Sequence, residues 1–363
     1  MKKILFAAAI FSTIIACKKE AKQDVIKNEA GQELIVTEKG DTIVKSATAN
    51  DSVTASTTDS IATTAAVKPT AIQKNAEDKY DFRYNLQVGK SYPITLKVKG
   101  SQSATDGTQS MKMASESSKT IEYTVKDFTN GVYTLEVKSK QYSEKMTDPS
   151  GQSISYDTNK AKPKEKDIAF TWSIYKAMIG KVYTLKIDQQ GKVVGVEGLD
   201  KIRKQIESSV KGQLSAEEQK FVSEMLKGSL NKEVISAQFD ETMNIFPKKA
   251  LKLKESWTDS DNINQGPMKG KSNLTRTLAS VDAKNTKITV KGTQNLSGSE
   301  AQEGVKMSVN ANANIDGTIL IDTESGWINN VNLTKKETLK RSIDANGQKQ
   351  TMTETVTTTT AIN

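Results

Sequence analysis

The feature that most restricts the fold of this chain is a long alternation of apolar and polar side chains over residues 305–321. Apolar residues occupy nearly every second position, with Gly317 among them, and the residues between them are mostly Lys, Ser, Asn, Asp and Thr. This period of two is typical of an antiparallel strand that buries one face. A strand of this length has to twist, so we expect its sheet to bend into a partial or closed barrel.

Six further segments show the same alternation and are separated by short turns. The segments are 119–128, 132–142, 181–188, 286–296, 328–343 and 350–362. The turn sequences are Asn130-Gly131, Gln190-Gly191, Ser325-Gly326 and Asn346-Gly347. Long strands joined by tight turns predict a meander, in which neighbours along the chain are neighbours in the sheet.

The strand-rich region looks duplicated. Segment 119–141 aligns without gaps with segment 272–294, and apolar residues coincide at pairs such as Val125 and Leu278. A related short sequence precedes each copy. Near the end of each copy, an Ile-Asp pair is followed by a turn that contains glycine. The preceding sequences are 88–92 and 253–257, and the later turns are 187–191 and 321–326. We interpret the region as two related β halves.

The only helical region that the sequence predicts lies between the two halves. Leu199, Ile202, Ile206 and Val210 recur at helical spacing, and Ser215 opens a capping box before a second helix. A third helix is predicted over 230–239. The fold class is therefore mainly β (α+β): long curved antiparallel meander sheets form pseudo-duplicated half-barrels with a helical insertion between them. Whether the helices simply pack on the sheet or act as a lid over a cavity stays open.

The N-terminus has the pattern of an export signal. Two lysines follow Met1, and the apolar run 4–16 is shorter than the roughly 20 residues that a membrane-spanning helix needs. The run ends Ile-Ile-Ala before Cys17 and resembles the lipobox of bacterial lipoproteins. This resemblance implies that the signal is removed and that a lipid on Cys17 anchors the protein to a membrane. Lys18 in place of Asp implies the outer membrane, and the face of that membrane stays open.

Residues 17–79 are predicted to be a disordered tether. Much of this segment is Ser, Thr, Ala and Asp, which cannot bury enough apolar surface to offset the entropy lost on ordering. A short alternating piece, 33–44, predicts a hairpin. Three Asp-Ser/Thr-apolar triplets resemble an acceptor motif for bacterial O-glycosylation, with Thr42, Ser52 and Ser60 as the acceptors. Coincidence in a Ser/Thr-rich segment is the alternative.

Composition argues against several classes of function. The chain has no histidine, and Cys17 is its one cysteine, so the usual catalytic bases, zinc ligands and disulfides have no residues to form them. We therefore expect no enzyme activity, no metal and no cofactor. The net charge of +9 suits an anionic membrane surface or anionic ligands. Dispersed lysines and only 6% aromatic residues argue against nucleic-acid binding.

Three fragments resemble known sites without completing them. Residues 173–176 fit S-x-x-K and residues 260–262 fit S-D-N, as in penicillin-recognising enzymes, but the K-T-G element is missing. Asp259 and Asp261 begin like a calcium loop, but Ile263 occupies the next ligand position. No fragment therefore predicts a catalytic or metal site.

The anchor, the tether, the 88–92 sequence and segment 245–257 together resemble an uncharacterised family of bacterial lipoproteins, known as a domain of unknown function, over residues 80–363. At the position of Lys254, the resemblance to this family favours Gly. No activity or functional residue follows from the resemblance. The wider architecture is similar to the lipoprotein carriers, whose unclosed barrel, closed by helices, holds acyl chains.

The leading functional hypothesis is non-catalytic binding of a hydrophobic or amphiphilic ligand, such as a lipid, between the sheet and a helical lid. Long curved strands and small inward residues, Ala311 and Ala313, motivate it. The rival is an envelope-structural or protein-interaction module with a solid core, and a Ser/Lys or carboxylate hydrolase is a distant third. The expected domains are a signal peptide (1–16), a lipidated tether (17–79), an N-terminal β half (80–198), a helical insertion (199–247) and a C-terminal β half (248–363).

Overall fold

The computed structural model describes residues 26–27, 33–36, 42–44, 70–105, 110–265, 268–302, 305–345 and 348–363. The chain divides into two compact units, one of which is Lys18–Lys68. That unit contains a small antiparallel sheet of β1 (Ile26–Lys27), β2 (Glu33–Val36) and β3 (Thr42–Val44). The pairing of β2 with β3 confirms the strands of the hairpin predicted over 33–44.

The second unit comprises Met1–Cys17 and Pro69–Asn363. Its described strands are β4 (Ile72–Lys74), β5 (Tyr80–Phe82), β6 (Ser91–Thr105), β7 (Ser110–Thr129), β8 (Val132–Thr147), β9 (Ser153–Asp157), β10 (Val182–Asp188), β11 (Val193–Glu197), β12 (Ser256–Gln265), β13 (Met268–Val281), β14 (Asn285–Gln302), β15 (Val305–Asp322), β16 (Ile328–Ala345) and β17 (Gln348–Ile362). Its helices are α1 (Lys166–Met178), α2 (Leu199–Val210), α3 (Ala216–Ser229) and α4 (Lys232–Met243).

Most of these strands form one large antiparallel sheet. The sheet has twelve strands in the order β11-β10-β8-β7-β6-β17-β16-β15-β14-β13-β12, with β9 attached to β8. The prediction of a mainly β fold with a long antiparallel meander is confirmed, and the sheet is not a closed barrel. Several strands extend beyond their predicted limits, because the hydrophobic alternation fades before the backbone pairing ends.

The pairing of β6 with β17 joins the two halves into one sheet. Ten residues of each strand are in register, from Leu96 opposite Ile362 to Thr105 opposite Thr353. Each half occupies the sheet in the same sequential direction, so the halves follow one another head to tail. This arrangement agrees with the duplication inferred from the sequence.

Local backbone structure also repeats between the halves. The N–H of Gly89 donates to the carbonyl of Val125, and the N–H of Lys254 donates to the carbonyl of Leu278, each at 2.8 Å. Val125 and Leu278 coincide in the sequence alignment, and the strand register shifts directly after each of them. Gly89 and Lys254 both have positive φ, +84° and +70°. The second copy thus places a lysine in a conformation that favours glycine.

Substitution Lys254→Gly should raise the free energy of unfolding by about 1 kcal/mol, because glycine adopts the left-handed conformation without strain. Gly89→Ala is the matched control and should lower that free energy by a similar amount. Urea denaturation of both variants measures the effect. Equal stability of Lys254→Gly and the original chain would contradict the strain at this position.

The helical insertion is confirmed by α2, α3 and α4. The four α2 residues predicted from spacing are buried, and Ser215 and Glu218 form the predicted capping box of α3. The prediction that this insertion is the one helical region is wrong, because α1 lies within the predicted N-terminal β half. Apolar residues surround α1 on several sides and form no clear stripe. Its two buried residues, Ala169 and Ile174, do not lie at the spacing of one face.

The boundary predicted for the tether, 17–79, also needs correction. Residues 70–79 belong to the compact unit, where β4 pairs with β5, and Ala71 and Ile72 are buried in the core. The N–H of Ala71 donates to the carbonyl of Glu324 in the turn that follows β15. Few apolar residues mark this segment in the sequence, so composition alone did not distinguish it from the tether.

Tyr84 lies at the centre of the end of the sheet that the helices cover, which we call the closed end. Its ring is fully buried against Phe246, with ring centroids 4.8 Å apart, and its hydroxyl donates to the carbonyl of Met243 at 2.7 Å. Its N–H donates to the carbonyl of Gln189 in the turn after β10. The segment after β5 therefore ties the helices to the strand ends.

Candidate functional site: the concave face of the sheet

One face of the large sheet carries the buried side chains. On β15, Ala311 and Ala313 are buried while Asn310, Asn312 and Asn314 are exposed, which confirms the inward orientation predicted for the two alanines. Directly paired residues of neighbouring strands lie on the same face. We call the face that carries these alanines the concave face.

Three glycines on this face explain why it is concave. Gly270, Gly292 and Gly317 lie on the consecutive strands β13, β14 and β15 at staggered levels, and we call them the glycine diagonal. A Cβ atom on Gly270 would lie 1.9 Å from the Asn295 carbonyl oxygen, and one on Gly317 would lie 2.1 Å from the Asn332 carbonyl oxygen. Only glycine permits this close approach, so the C-terminal half curls tightly along the diagonal.

The helices cover only one end of the concave face. Sheet residues of the hydrophobic core reach as far as Leu96, Leu274 and Leu333, and the described concave residues beyond this level lie outside the core. We call this remainder the outer half of the concave face. Its members include Gln102, Gln294, Leu296, Val309, Ala311, Ala313, Ile315, Lys335, Glu337, Leu339, Arg341, Glu354 and Val356.

Several charges on the outer half are neutralised locally. Glu354 is buried and accepts hydrogen bonds from Arg341 Nε at 2.7 Å and Gln102 Nε2 at 3.0 Å. Lys335 and Glu337 form an ion pair at 3.2 Å. Because these groups bond to each other, they provide little net charge to a ligand.

Two buried polar residues of the C-terminal half keep atoms without partners. Gln294 is 1% exposed, and neither its Nε2 nor its Oε1 has a hydrogen-bond partner in the described structure. Arg276 is also buried and forms an ion pair with Asp259, but its Nε has no partner there. Buried polar atoms nearly always have a hydrogen-bond partner, so a water molecule or a ligand group is expected beside these atoms.

The rim of the outer half is apolar and exposed. Met307 lies directly opposite Ile343 near the tips of β15 and β16, and the two side chains are 46% and 39% exposed. Met111, near the tip of β7, is also exposed. Large exposed apolar side chains around a sheltered face are typical of a binding surface.

The interface between the helices and the sheet is packed. The ring of Tyr123 on β7 contacts Phe239 of α4 with centroids 6.0 Å apart, and Trp327 packs between Tyr92 and Tyr123. Two surface grooves, of about 720 and 390 Å³, lie along α2 and are lined mostly by polar side chains. The outer half of the concave face is therefore a better candidate than the space beneath the helices.

Lys119 on β7 is a cation in partly apolar surroundings. It lies directly opposite Leu96 on β6 and Tyr142 on β8, and burial lowers the pKa of its amine below the ordinary value. Tyr142 stacks on Tyr175 of α1 with ring centroids 3.8 Å apart. Lys119 thus lies at the boundary between the core and the outer half.

Substitution Lys119→Met should stabilise the protein at neutral pH, because burial disfavours the charged amine. At a pH between the lowered pKa of the Lys119 amine in the folded state and its ordinary pKa, the unfolded chain binds more protons than the folded chain. The free energy of unfolding of the original chain, relative to that of Lys119→Met, therefore rises with pH in this range. Denaturation from pH 7 to 10.5 measures this difference. Exposed Lys97→Met is the control and should show no such trend, and a constant difference for Lys119→Met would contradict the burial effect.

The predicted modification sites stay untested. Cys17, Ser52 and Ser60 lie outside the described residues, and Thr42 begins β3, where its backbone pairs with Val36. The glycosylation and lipidation of these residues therefore remain predictions.

The structure does not assemble the enzyme-like fragments. Ser173 and Lys176 lie on α1, where Ser173 Oγ donates to the carbonyl of Ala169 and Lys176 Nζ donates to that of Thr158. Ser260 lies on β12 and donates to the Asn273 side chain. Helix α1 packs on β8 and β9, whereas β12 is at the far edge of the sheet.

The described residues contain neither a cluster of metal ligands nor a membrane-spanning helix. In that part of the chain, no group of three or more His, Cys, Asp or Glu side chains is arranged to hold a metal ion. No described helix is both long enough and apolar enough to cross a membrane.

A family model described as a family of unknown function (DUF6263) matches residues 130–328, which is more than half of the chain. The chain belongs to this family. The match extends from the turn before β8 to the start of β16, so it includes all four helices and parts of both β halves. It confirms the resemblance to a family of unknown function. No curated protein matches the sequence.

Solved structures show only distant likeness to this DUF6263 chain. A structure concerning lipid–protein interactions in lipovitellin has a TM-score of 0.41 and 9% identity, covering 76% of this chain and 25% of that one. This chain thus spans about a quarter of the length of that structure. A mutant porin of Rh. blastica has a TM-score of 0.17 and 5% identity, covering 75% of this chain and all of the porin. These scores establish no shared fold.

Proposed function

We propose that this protein is a lipid-anchored protein of the bacterial cell envelope that binds a hydrophobic or amphiphilic ligand along the outer half of the concave face. The role is non-catalytic. The helices cover one end of the concave face, and the ligand covers the outer half.

The observation that carries this proposal is the continuation of the concave face beyond its helical cover. An antiparallel sheet commonly has one face in water and the other against a core. Here the convex face is polar along β15 and β16, whereas the concave face still presents the half-buried side chains of Ile315 and Leu339 where the described core has ended. A bound apolar chain would remove this surface from water and gain free energy in proportion to the area buried.

The membrane anchor is argued from the sequence. The apolar run before Cys17 has the length of an export signal, and Cys17 follows the small residue that a lipobox requires. Acyl chains on Cys17 would contribute about 0.8 kcal/mol for each buried CH₂ group. Lys18 favours the outer membrane, and either face of that membrane is compatible with the proposal.

The absence of catalysis is part of the proposal. Histidine is missing from the sequence, and the best-placed carboxylate of the outer half, Glu354, is held by Arg341 and Gln102.

A second candidate function is a structural or protein-interaction module. The continuous core, which joins both β halves to α2, α3 and α4, favours it. In that case the exposed rim residues Met111, Met307 and Ile343 would contact a protein. This alternative requires no small ligand on the concave face.

Substitution Ile315→Trp should displace the ligand, because Ile315 lies on the concave face opposite Gly292 and Lys335. Asn314→Trp is the matched control, since its side chain is exposed on the convex face of the same strand. Native mass spectrometry and solvent extraction of the Cys17→Ser chain, which lacks acyl groups of its own, measure the bound amphiphile. We expect near-stoichiometric ligand in the control and at least a tenfold loss in Ile315→Trp.

Thermal unfolding must show that both tryptophan variants fold. Equal ligand content in the two variants would contradict binding on the concave face. A clean polypeptide mass for the Cys17→Ser chain, unchanged after lipids are added, would favour the interaction module instead.

Substitution Cys17→Ser should release the protein from membranes, because the thiol is the atom that would receive the diacylglyceryl group. In its native host, the original chain should sediment with membranes and incorporate labelled palmitate, and the variant should do neither. Incorporation of palmitate by Cys17→Ser would contradict lipidation at this residue.

A further inference from the structure

We infer that Gln294 binds the polar end of the ligand, and that this ligand is an acyl compound with a carboxyl or ester carbonyl beside a hydroxyl group. This inference rests on the proposed function and extends it to the chemical class of the ligand. Gln294 lies on β14 in the C-terminal half, and we call this residue and its neighbours on the same face the polar pocket.

Gln294 is the centre of the polar pocket. It lies on the concave face of β14, directly opposite Ala313 on β15 and Ser272 on β13. Both neighbours are small, and the described structure offers no partner to either end of the Gln294 amide. A fully buried amide that lacks both a donor and an acceptor is costly unless another group supplies them.

Arg276 lies at the limit of the pocket. It lies opposite Val290, four residues before Gln294 on β14, and pairs with Asp259 on β12. Strand β12 is on the side of β13 away from β14, so the Asp259 contact holds the Arg276 side chain away from Gln294.

The available atoms define the ligand chemistry. Gln294 Nε2 donates a hydrogen bond, so it requires an acceptor oxygen, whereas Gln294 Oε1 requires a donor such as a hydroxyl. The amide carries no charge, and this disfavours a phosphate carrying two negative charges. A protonated carboxyl group or a glycerol ester supplies both the acceptor and the donor.

The neighbouring residues suit an acyl chain. Ala313 lies directly opposite Gln294, Ala311 lies diagonal to it, and Leu296 follows it by two residues on β14; all three are on the concave face. Their small or apolar side chains continue toward the exposed rim at Met307. A linear amphiphile can therefore place its carbonyl at Gln294 and its chain along β15.

The test uses the full chain carrying Cys17→Ser and three probes: oleic acid, monooleoylglycerol and hexadecane. Gln294→Leu removes the amide with little change in volume, and Asn295→Leu changes the adjacent exposed residue of β14 as a control. Calorimetry should show at least tenfold weaker binding of oleic acid or monooleoylglycerol to Gln294→Leu, with hexadecane unchanged. Asn295→Leu should change none of the three affinities.

The two oxygen-bearing probes distinguish the sources of the polar group. Preferential loss of oleic acid binding identifies a fatty acid, and preferential loss of monooleoylglycerol binding identifies a glyceride; either supports the inference. Unchanged binding of both probes to Gln294→Leu, with only ordered water beside Gln294, would overturn it. If the unsubstituted chain binds none of the three probes, the proposed function itself fails.

A measurement without substitution covers the case in which Gln294→Leu does not fold. Infrared spectra of carbonyl-¹³C-labelled oleic acid and monooleoylglycerol bound to the Cys17→Ser chain should show a carbonyl band shifted to lower frequency relative to hexane solution. Such a shift indicates hydrogen bonds to the carbonyl oxygen. A band at the hexane frequency would overturn the inference.

Discussion

The pairing of β6 with β17 is the contact on which the rest of the structure depends. It places the first long strand of the N-terminal half beside the last strand of the C-terminal half, with Leu96 opposite Ile362. The two meanders then share one concave face, and the core from both halves becomes continuous beneath the helices. If the halves were separate sheets, each would expose an additional edge and neither would extend the sheltered face beyond its own strands.

The helices cover one end of this sheet, the closed end, and leave the other end open. Aromatic side chains and the helices fill the closed end, where Tyr84 connects strand ends, turns and α4. Toward the other end, the glycine diagonal lets β13, β14 and β15 curl where side chains would collide with neighbouring backbone. The curl buries Gln294 and the small residues of β15 without adding polar partners. The proposed ligand completes this end, as the helices complete the other.

Seven strands of the large sheet could be predicted from the sequence, because alternation and Gly-containing turns are local signals. Strands β6, β9, β11, β12 and β13 were not among the predicted segments. The duplication could also be predicted, and the left-handed conformation of Lys254 explains why glycine is favoured there. The pairing between halves is a tertiary contact that no local pattern reports. Helix α1 could not be predicted because its apolar residues form no clear stripe. Gln294 faces inward at the same alternation as Ile288 and Val290, but it is polar, and the sequence alone does not show that it is buried.

The most direct test of a ligand on the outer half is an experimentally determined structure of the protein isolated from the envelope of its native host. The account predicts continuous density along the concave face of β15, beginning beside Gln294 and ending near Met307, that no protein atom explains. It also predicts that the packing of Tyr123 against Phe239 is retained. An outer half filled only by its own side chains and water in the protein taken from membranes would contradict the account.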